Sequence, residues 1–480
     1  MTAEARSGPV PRSPRRAVIL LALAAAWLPA WAAGSPGTPA DLPAPAPATA
    51  PKPALPDVVL ITIDTLRADR CSLYGAARPT TPFLDKLART SVVFDAAYGA
   101  SSWTPPSMAS IFTGLPPRAH GVIKGAIREG AAVNQQVLDD RFTTIAESFR
   151  AAGYYTIGVS SNAHVVRRTG FSQGFDAFRA PLWKGAGEVN AAAQELVAAR
   201  PPGKPLLLWI HYFDPHNPYL AHAPWIDSFD VDFAWVQRLA GAEQDALLAQ
   251  ARSCGYAAPM QAALLALYDS EIAFVDAALR RLFHSLPLTG NALVAITSDH
   301  GETLMNRGWI GHGNSLYDEE TRVPLLIRLP GSTTGSRVAR PVSNTDLYGT
   351  LLDAVGLPRP PGVNRPSLLA PEAKEPPVLL ELNRTAGEDQ AAVRVGRYKL
   401  VQRFSPQPGT ELFDLGADPQ EQRDVADASP AVRDRLAAVL EQAIAAWPRY
   451  TATRKEADPA DPELIERLRS LGYLDSTNKK

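Results

Sequence analysis

Several stretches of this chain are almost continuously apolar for about the length of a buried strand. They stop abruptly on carboxylate, hydroxyl or imidazole side chains. DVVLITI (57–63) runs into Asp64 and Thr65, LLLWIHY (206–212) is followed by Asp214 and His216, and ALVAIT (292–297) by Asp299 and His300. A run without alternation reads as a strand covered on both faces. YTIGVS (155–160) and RVPLLIRL (322–329) read as two further strands. Helical patterns separate them: 81–88 with Thr81 as N-cap and Pro82 in its first turn, 143–153 ending on Gly153, 261–283, and 344–356 closed by Gly356. Strands alternating with helices predict an α/β fold, a large and mostly parallel sheet sandwiched by helices.

The rest of the chain has other textures. Residues 391–401 and 410–415 read as antiparallel strands, and 429–447 as a helix with Val432, Leu436, Val439, Ala443 and Trp447 on one stripe. This predicts a small α+β C-terminal subdomain. At the N-terminus, Arg12, Arg15 and Arg16 precede the apolar stretch 17–31 and the small residues Ala30–Ala33, the layout of a secretory signal peptide. The Pro/Ala-rich 34–56 reads as an extended linker. The expected organisation is a signal peptide at 1–33, a linker at 34–56, a catalytic domain at 57–376, the subdomain at 377–450 and a polar tail at 451–480. The expected location is the periplasm or the extracellular space, with no stable membrane insertion once the signal is removed. A net charge of −1 over 480 residues carries no electrostatic footprint for nucleic acid. The sequence leaves open whether Cys71 and Cys254 pair.

In open α/β sheets ligands bind beyond the carboxyl ends of the strands. Asp64, Asp299 and His300 all stand there, and two carboxylates with an imidazole form a plausible metal site. Thr104 adds a hydroxyl. It precedes Pro105 at the start of the helical stretch that ends on Gly114, so it lies at or near an N-cap, where backbone N–H groups favour an anion. Plain capping is the structural alternative for Thr104.

These residues resemble the sulfatase family of the alkaline phosphatase superfamily. The resemblance rests on VLITIDTLRADRCSLYG (59–75), SSWTPPSMASIFTGLPPRAHGV (101–122), RAAGYYTIGVSSN (150–162), HYFDPHNPY (211–219), ITSDHGE (296–302), GHGNSLYDEETRVPLLIRLPG (311–331) and RYKL…TELFDLGADPQEQRDVA (397–426). It implies an alkaline phosphatase-like fold and a divalent metal. Asp64, Asp299 and His300 match metal-site positions, and Thr65 stands where a second Asp is usual. Thr104 matches the nucleophile, where the family has the Cys that becomes formylglycine. Pro106 and Ser107 follow the motif, and Met108 replaces its Arg. His216 and His312 match residues that bind the anion or protonate the leaving group. Asn162 and His164 lie near a missing Lys-Trp-His segment and are carried as substrate-binding candidates. His211, His222 and His284 read as structural.

Threonine has one hydroxyl and cannot release sulfate by re-forming an aldehyde, whereas a phosphorylated threonine is cleared by water. The chemical expectation is therefore a metal-dependent hydrolase of sulfate- or phosphate-type esters with Thr104 as nucleophile, phosphate or phosphonate esters favoured. The alternatives are a sulfuric ester hydrolase working with unmodified Thr104, an inactive sulfatase-like binding protein, and a group transferase. The expected substrate is a small anionic ester. Mn or Zn is favoured over Ca or Mg because His300 supplies nitrogen. Specificity is expected from loops at 170–200 and 220–260.

Overall fold

The computed structural model describes residues 55–124, 126–129, 132–288, 291–370, 376–383 and 389–456. The expected signal peptide, nearly all of the linker and most of the polar tail lie outside these residues.

The apolar runs form the centre of one large sheet. Leu293–Ser298, Val58–Ile63, Leu206–Tyr212, Tyr155–Ser160 and Ala177–Arg179 lie side by side in that order, all parallel. Every residue of Val58–Ile63, Leu206–Tyr212 and Leu293–Ser298 is buried, as continuous apolarity requires. One apolar cluster gathers Val59, Ile61 and Ile63 with the long helix Ala258–Ser285 on one face. A second gathers Val58 and Leu60 with the helix Thr104–Thr113 on the other. Alternate residues of one strand thus feed two cores.

The structure departs from the sequence pattern in several places. The 322–329 run is antiparallel to its neighbour Leu293–Ser298 and is interrupted at Pro324, whose missing N–H cannot join a ladder. Beyond it lie Val92–Tyr98 and then Ser336–Ser343, strands that their mixed composition concealed. Thr81 precedes the helix Pro82–Ala88 but does not cap it. Asp276 does so from the long helix, accepting from the N–H groups of Phe83 (2.8 Å) and Leu84 (3.0 Å). Thr144, by contrast, forms a full capping box with Glu147 at the helix Ile145–Ala151. The stretches read as loops contain helices, Ala186–Ala198, Phe233–Leu239 and Gln244–Ser253.

The C-terminal part is a separate antiparallel sheet in the order Val378–Asn383, Asp389–Val395, Tyr398–Ser405, Gly409–Asp414, covered by the helix Pro430–Ala445. The expected single strand 391–401 is a hairpin that turns at Gly396, whose φ of 54° suits glycine. Leu436 and Leu440 carry the helix's burial. Cys71 and Cys254 are free thiols. No helix among the described residues is long and apolar enough to cross a membrane.

Candidate active site

Parallel pairing puts the ends of three strands in one row. Ile63 is in register with both Tyr212 and Ser298, so Asp64 and Asp299 emerge side by side. Both are fully buried. The chain turns sharply at Thr65, a β-branched residue at φ 55°, where strain is expected of a non-glycine residue. The turn is held by the Thr65 N–H donating to Asp299 Oδ1 (3.3 Å) and by the Tyr268 hydroxyl donating to the Thr65 carbonyl (2.6 Å). The Thr65 hydroxyl itself is buried and makes no hydrogen bond among the described residues. Gly99 makes room for this row, since a Cβ there would meet the Asp299 carbonyl oxygen at 2.2 Å.

His211, read from sequence as structural, is brought into the site. Its Nε2 lies 3.5 Å from Asp64 Oδ2, and Asp64, His211 and Asp299 present ligand atoms that all fall within 4.8 Å of one another. These three can coordinate a divalent metal ion. The chemistry of the donors fits one. His211 Nδ1 is 2.9 Å from the Thr62 hydroxyl, which also donates to the Ile210 carbonyl. In the tautomer with its proton on Nδ1, His211 turns an Nε2 lone pair toward the carboxylates. His211 Nε2 and Asp299 Oδ2 are buried and make no hydrogen bond among the described residues. Two buried carboxylates this close call for a compensating cation. Burial and the neighbouring Asp64 push Asp299 up. Burial also acts to raise Asp64, but His211, His216 and His300 outweigh it and hold Asp64 below the usual carboxylate range.

His300 completes the cluster. Its Nε2 is 3.5 Å from Asp64 Oδ1 and from Asp299 Oδ2, and 3.2 Å from the Thr104 hydroxyl. Nδ1 faces the Gly301 carbonyl at 2.8 Å, so a neutral His300 donates there and presents a lone pair at Nε2. Thr104 is the first residue of the helix Thr104–Thr113, with Trp103 as N-cap, so its hydroxyl is not spent on capping. That hydroxyl reaches Asp64 Oδ1 at 3.4 Å. Ser107 anchors the approach to the helix, accepting from the Ser101 N–H and donating to the Ser101 carbonyl. Met108 is wholly buried in the apolar core, so this position contributes no cation.

The other candidates surround this centre. Asn162 donates to Asp64 Oδ2 at 2.6 Å, and its carbonyl oxygen accepts from the His164 N–H. Burial drives His164 down to about 3 and His216 to about 4, so both are neutral at neutral pH. His216 faces the Asn217 carbonyl through Nδ1 (2.6 Å), and its ring packs against His312, centroids 5.0 Å apart. His312 in turn packs against His300 at 4.5 Å. Glu302 has no role in the sequence reading, although it ends a quoted motif. It lies beside His312, with Nδ1 and Oε1 2.9 Å apart. A hairpin makes the pair, because Thr303 and Gly311 are in register and Glu302 and His312 extend it by one step. Burial pushes Glu302 up to about 7. His222 pairs instead with Glu271 at 2.9 Å, and His284 is an exposed residue of the long helix.

Buried carboxylates and imidazoles beyond the ends of parallel strands, with a hydroxyl at a helix start, define a metal-binding hydrolase of the α/β class. Residues 56–357 match the family model described as Sulfatase, and residues 307–446 match N-sulphoglucosamine sulphohydrolase, C-terminal. The chain belongs to the sulfatase family and is a sulfatase-family ester hydrolase. It is 25% identical over 431 residues to the uncharacterized sulfatase YidJ of Escherichia coli (strain K12), across 78% of this chain and 83% of that one. Among solved structures it resembles a 2-O GAG sulfatase (TM-score 0.66, 22% identity, 82% of this chain and 92% of that one). It also resembles the phosphonate monoester hydrolase of Agrobacterium radiobacter (TM-score 0.64, 20% identity, 81% and 96%). At these identities the structural likenesses speak for the fold.

Proposed function

We propose that this protein hydrolyses a small anionic sulfate ester with unmodified Thr104 as nucleophile. The observation that carries the reading is the Thr104 hydroxyl, buried at a helix start within 3.2 Å of His300 Nε2 and 3.4 Å of Asp64. Sulfur is preferred because the family matches along both parts of the chain are sulfatase matches. Asp64, His211 and Asp299 would hold the metal ion, with His300 beside them. One or two imidazoles with two carboxylates favour Mn or Zn over Ca or Mg. When bound, such an ion supplies Lewis acidity toward the transferring group.

His300 Nε2 takes the proton as Thr104 Oγ1 attacks sulfur and the S–O bond to the alcohol breaks. His312, oriented by Glu302, protonates the leaving alkoxide, and His216 binds the anion. Water, giving a proton to His312, then attacks the sulfur of the sulfated threonine; the S–Oγ1 bond breaks, His300 returns its proton to Oγ1, and sulfate leaves. Pro105 and Pro106 have no N–H and the Ser107 N–H is bonded to the Trp103 carbonyl, so the helix contributes its dipole rather than a set of free N–H donors to the charge on the group. Asn162 orients Asp64, and His164 lines the anion site. Export to the periplasm or beyond is part of the proposal and rests on the N-terminal sequence.

One observation favours a second reading, a phosphate or phosphonate ester. Thr104 offers a single hydroxyl, and displacement by water suits a phospho-threonine better than a sulfo-threonine. The test is turnover of matched aryl sulfate, phosphate and phosphonate esters with Mn, Zn, Mg or Ca, in the protein and in Thr104→Ala. Sulfate release lost in Thr104→Ala supports the proposal. Turnover confined to phosphorus esters replaces it with the second reading. Activity that survives Thr104→Ala removes Thr104 from the chemistry.

A further inference from the structure

A cavity of about 630 Å³ lies away from Thr104, where the helix Pro82–Ala88 and the long helix Ala258–Ser285 meet over the strand Leu325–Arg328. The cavity at this junction has an apolar floor formed by Phe83, Leu87 and Trp225, and a rim carrying Lys86, Arg280 and Arg328. Arg328 is in register with Val294, near the start of the strand that ends at Ser298. The cavity therefore sits about 16 Å along the strand from Asp299, at the opposite end of the sheet.

Arg328 is the rim cation without electrostatic compensation among the described residues, whereas Arg280 lies in the field of Asp276. Arg328 is half-buried, and the cause of its lowered pKa is burial, with no carboxylate to offset it. Lys86, Arg280 and Arg328 form no ion pair among the described residues. The acid on the lining, Asp276, is spent on the first turn of Pro82–Ala88, where its two oxygens accept backbone N–H groups. A guanidinium partly removed from water without a partner costs free energy that an anionic ligand recovers. Apolar walls with a few convergent polar groups are the make-up of a small-molecule site.

We infer that this cavity is a second ligand site for an amphipathic anion, its head group on Arg328 and its apolar body against Phe83, Leu87 and Trp225. The inference is independent of the chemistry at Thr104. Octanoate serves as the probe, titrated calorimetrically into the full chain and into two variants, Arg328→Met and Ala277→Trp. Ala277 lines the same cavity, so the second variant fills it without touching a charge. The expected result is saturable binding at one site, weakened at least about tenfold by Arg328→Met and abolished by Ala277→Trp. Octanol, with the same tail and no charge, is expected to bind far more weakly. Absence of saturable octanoate binding, equal binding of octanol, or unchanged affinity in both variants overturns the inference.

Discussion

The residue whose role the tertiary structure changed most is His211, and replacing it separates a metal ligand from a packing residue. His211 is wholly buried and presents one of three ligand atoms, while its Nδ1 rests on Thr62. His211→Asn leaves a group able to reach Thr62 and removes the imidazole nitrogen aimed at Asp64. Loss of residues that merely support a ligand costs about 10–100-fold in metal affinity. Loss of a ligand atom sets that range as a floor, equivalent to at least about 1.4–2.7 kcal/mol. His211→Ala loses the Thr62 contact as well and leaves a cavity, at a stability cost of about 2–4 kcal/mol. The assay is metal content by elemental analysis after dialysis against a graded chelator, with Tm measured in parallel. The expected pattern is a near-normal Tm and at least tenfold weaker metal binding in the Asn variant, with both properties impaired in the Ala variant. An Asn variant that holds metal as tightly as the parent refutes the ligand role and returns His211 to packing.

Other perturbations follow from the same geometry. Burial raises Asp214, Asp276, Glu302, Glu320 and Glu421 to about 7. Their folded pKa values stand above the unfolded ones, so their contribution to stability is full below about pH 4 and lost as pH rises through about 7. The metal-free Tm is expected to be higher near pH 5.5 than near pH 8.5, and a Tm that climbs across that interval contradicts the assignment. Gly99→Ala is expected to lower both Tm and turnover, because its Cβ drives into the backbone carrying Asp299; wild-type activity in that variant shows that the row of strand ends adjusts freely. Arg118 Nε donates to Glu381 Oε1 at 2.7 Å, joining the segment after Thr104–Thr113 to the C-terminal sheet. Glu381→Ala leaves the guanidinium without its carboxylate, and a loss of about 3 kcal/mol is expected in denaturant unfolding; a loss under about 0.5 kcal/mol, the usual surface value, shows the pair to be dispensable.

The sequence by itself determined the central strands and two carboxylates of the site. Val58–Ile63, Leu206–Tyr212 and Leu293–Ser298 are apolar at most positions because both faces are covered, and parallel register then forces Asp64 and Asp299 together. Thr104, flagged by the prolines after it, does open a helix beside them. What the tertiary structure decided depends on contacts between distant segments. A lone histidine within an apolar run carries no local sign of function, and His211 reaches Asp64 because its strand pairs with Val58–Ile63, Thr62 facing His211 across the register. Glu302 gains meaning through the short hairpin that sets it opposite His312. The direction of Leu325–Arg328 was equally hidden, since an apolar run covered on both faces looks the same whichever way its hydrogen bonds run.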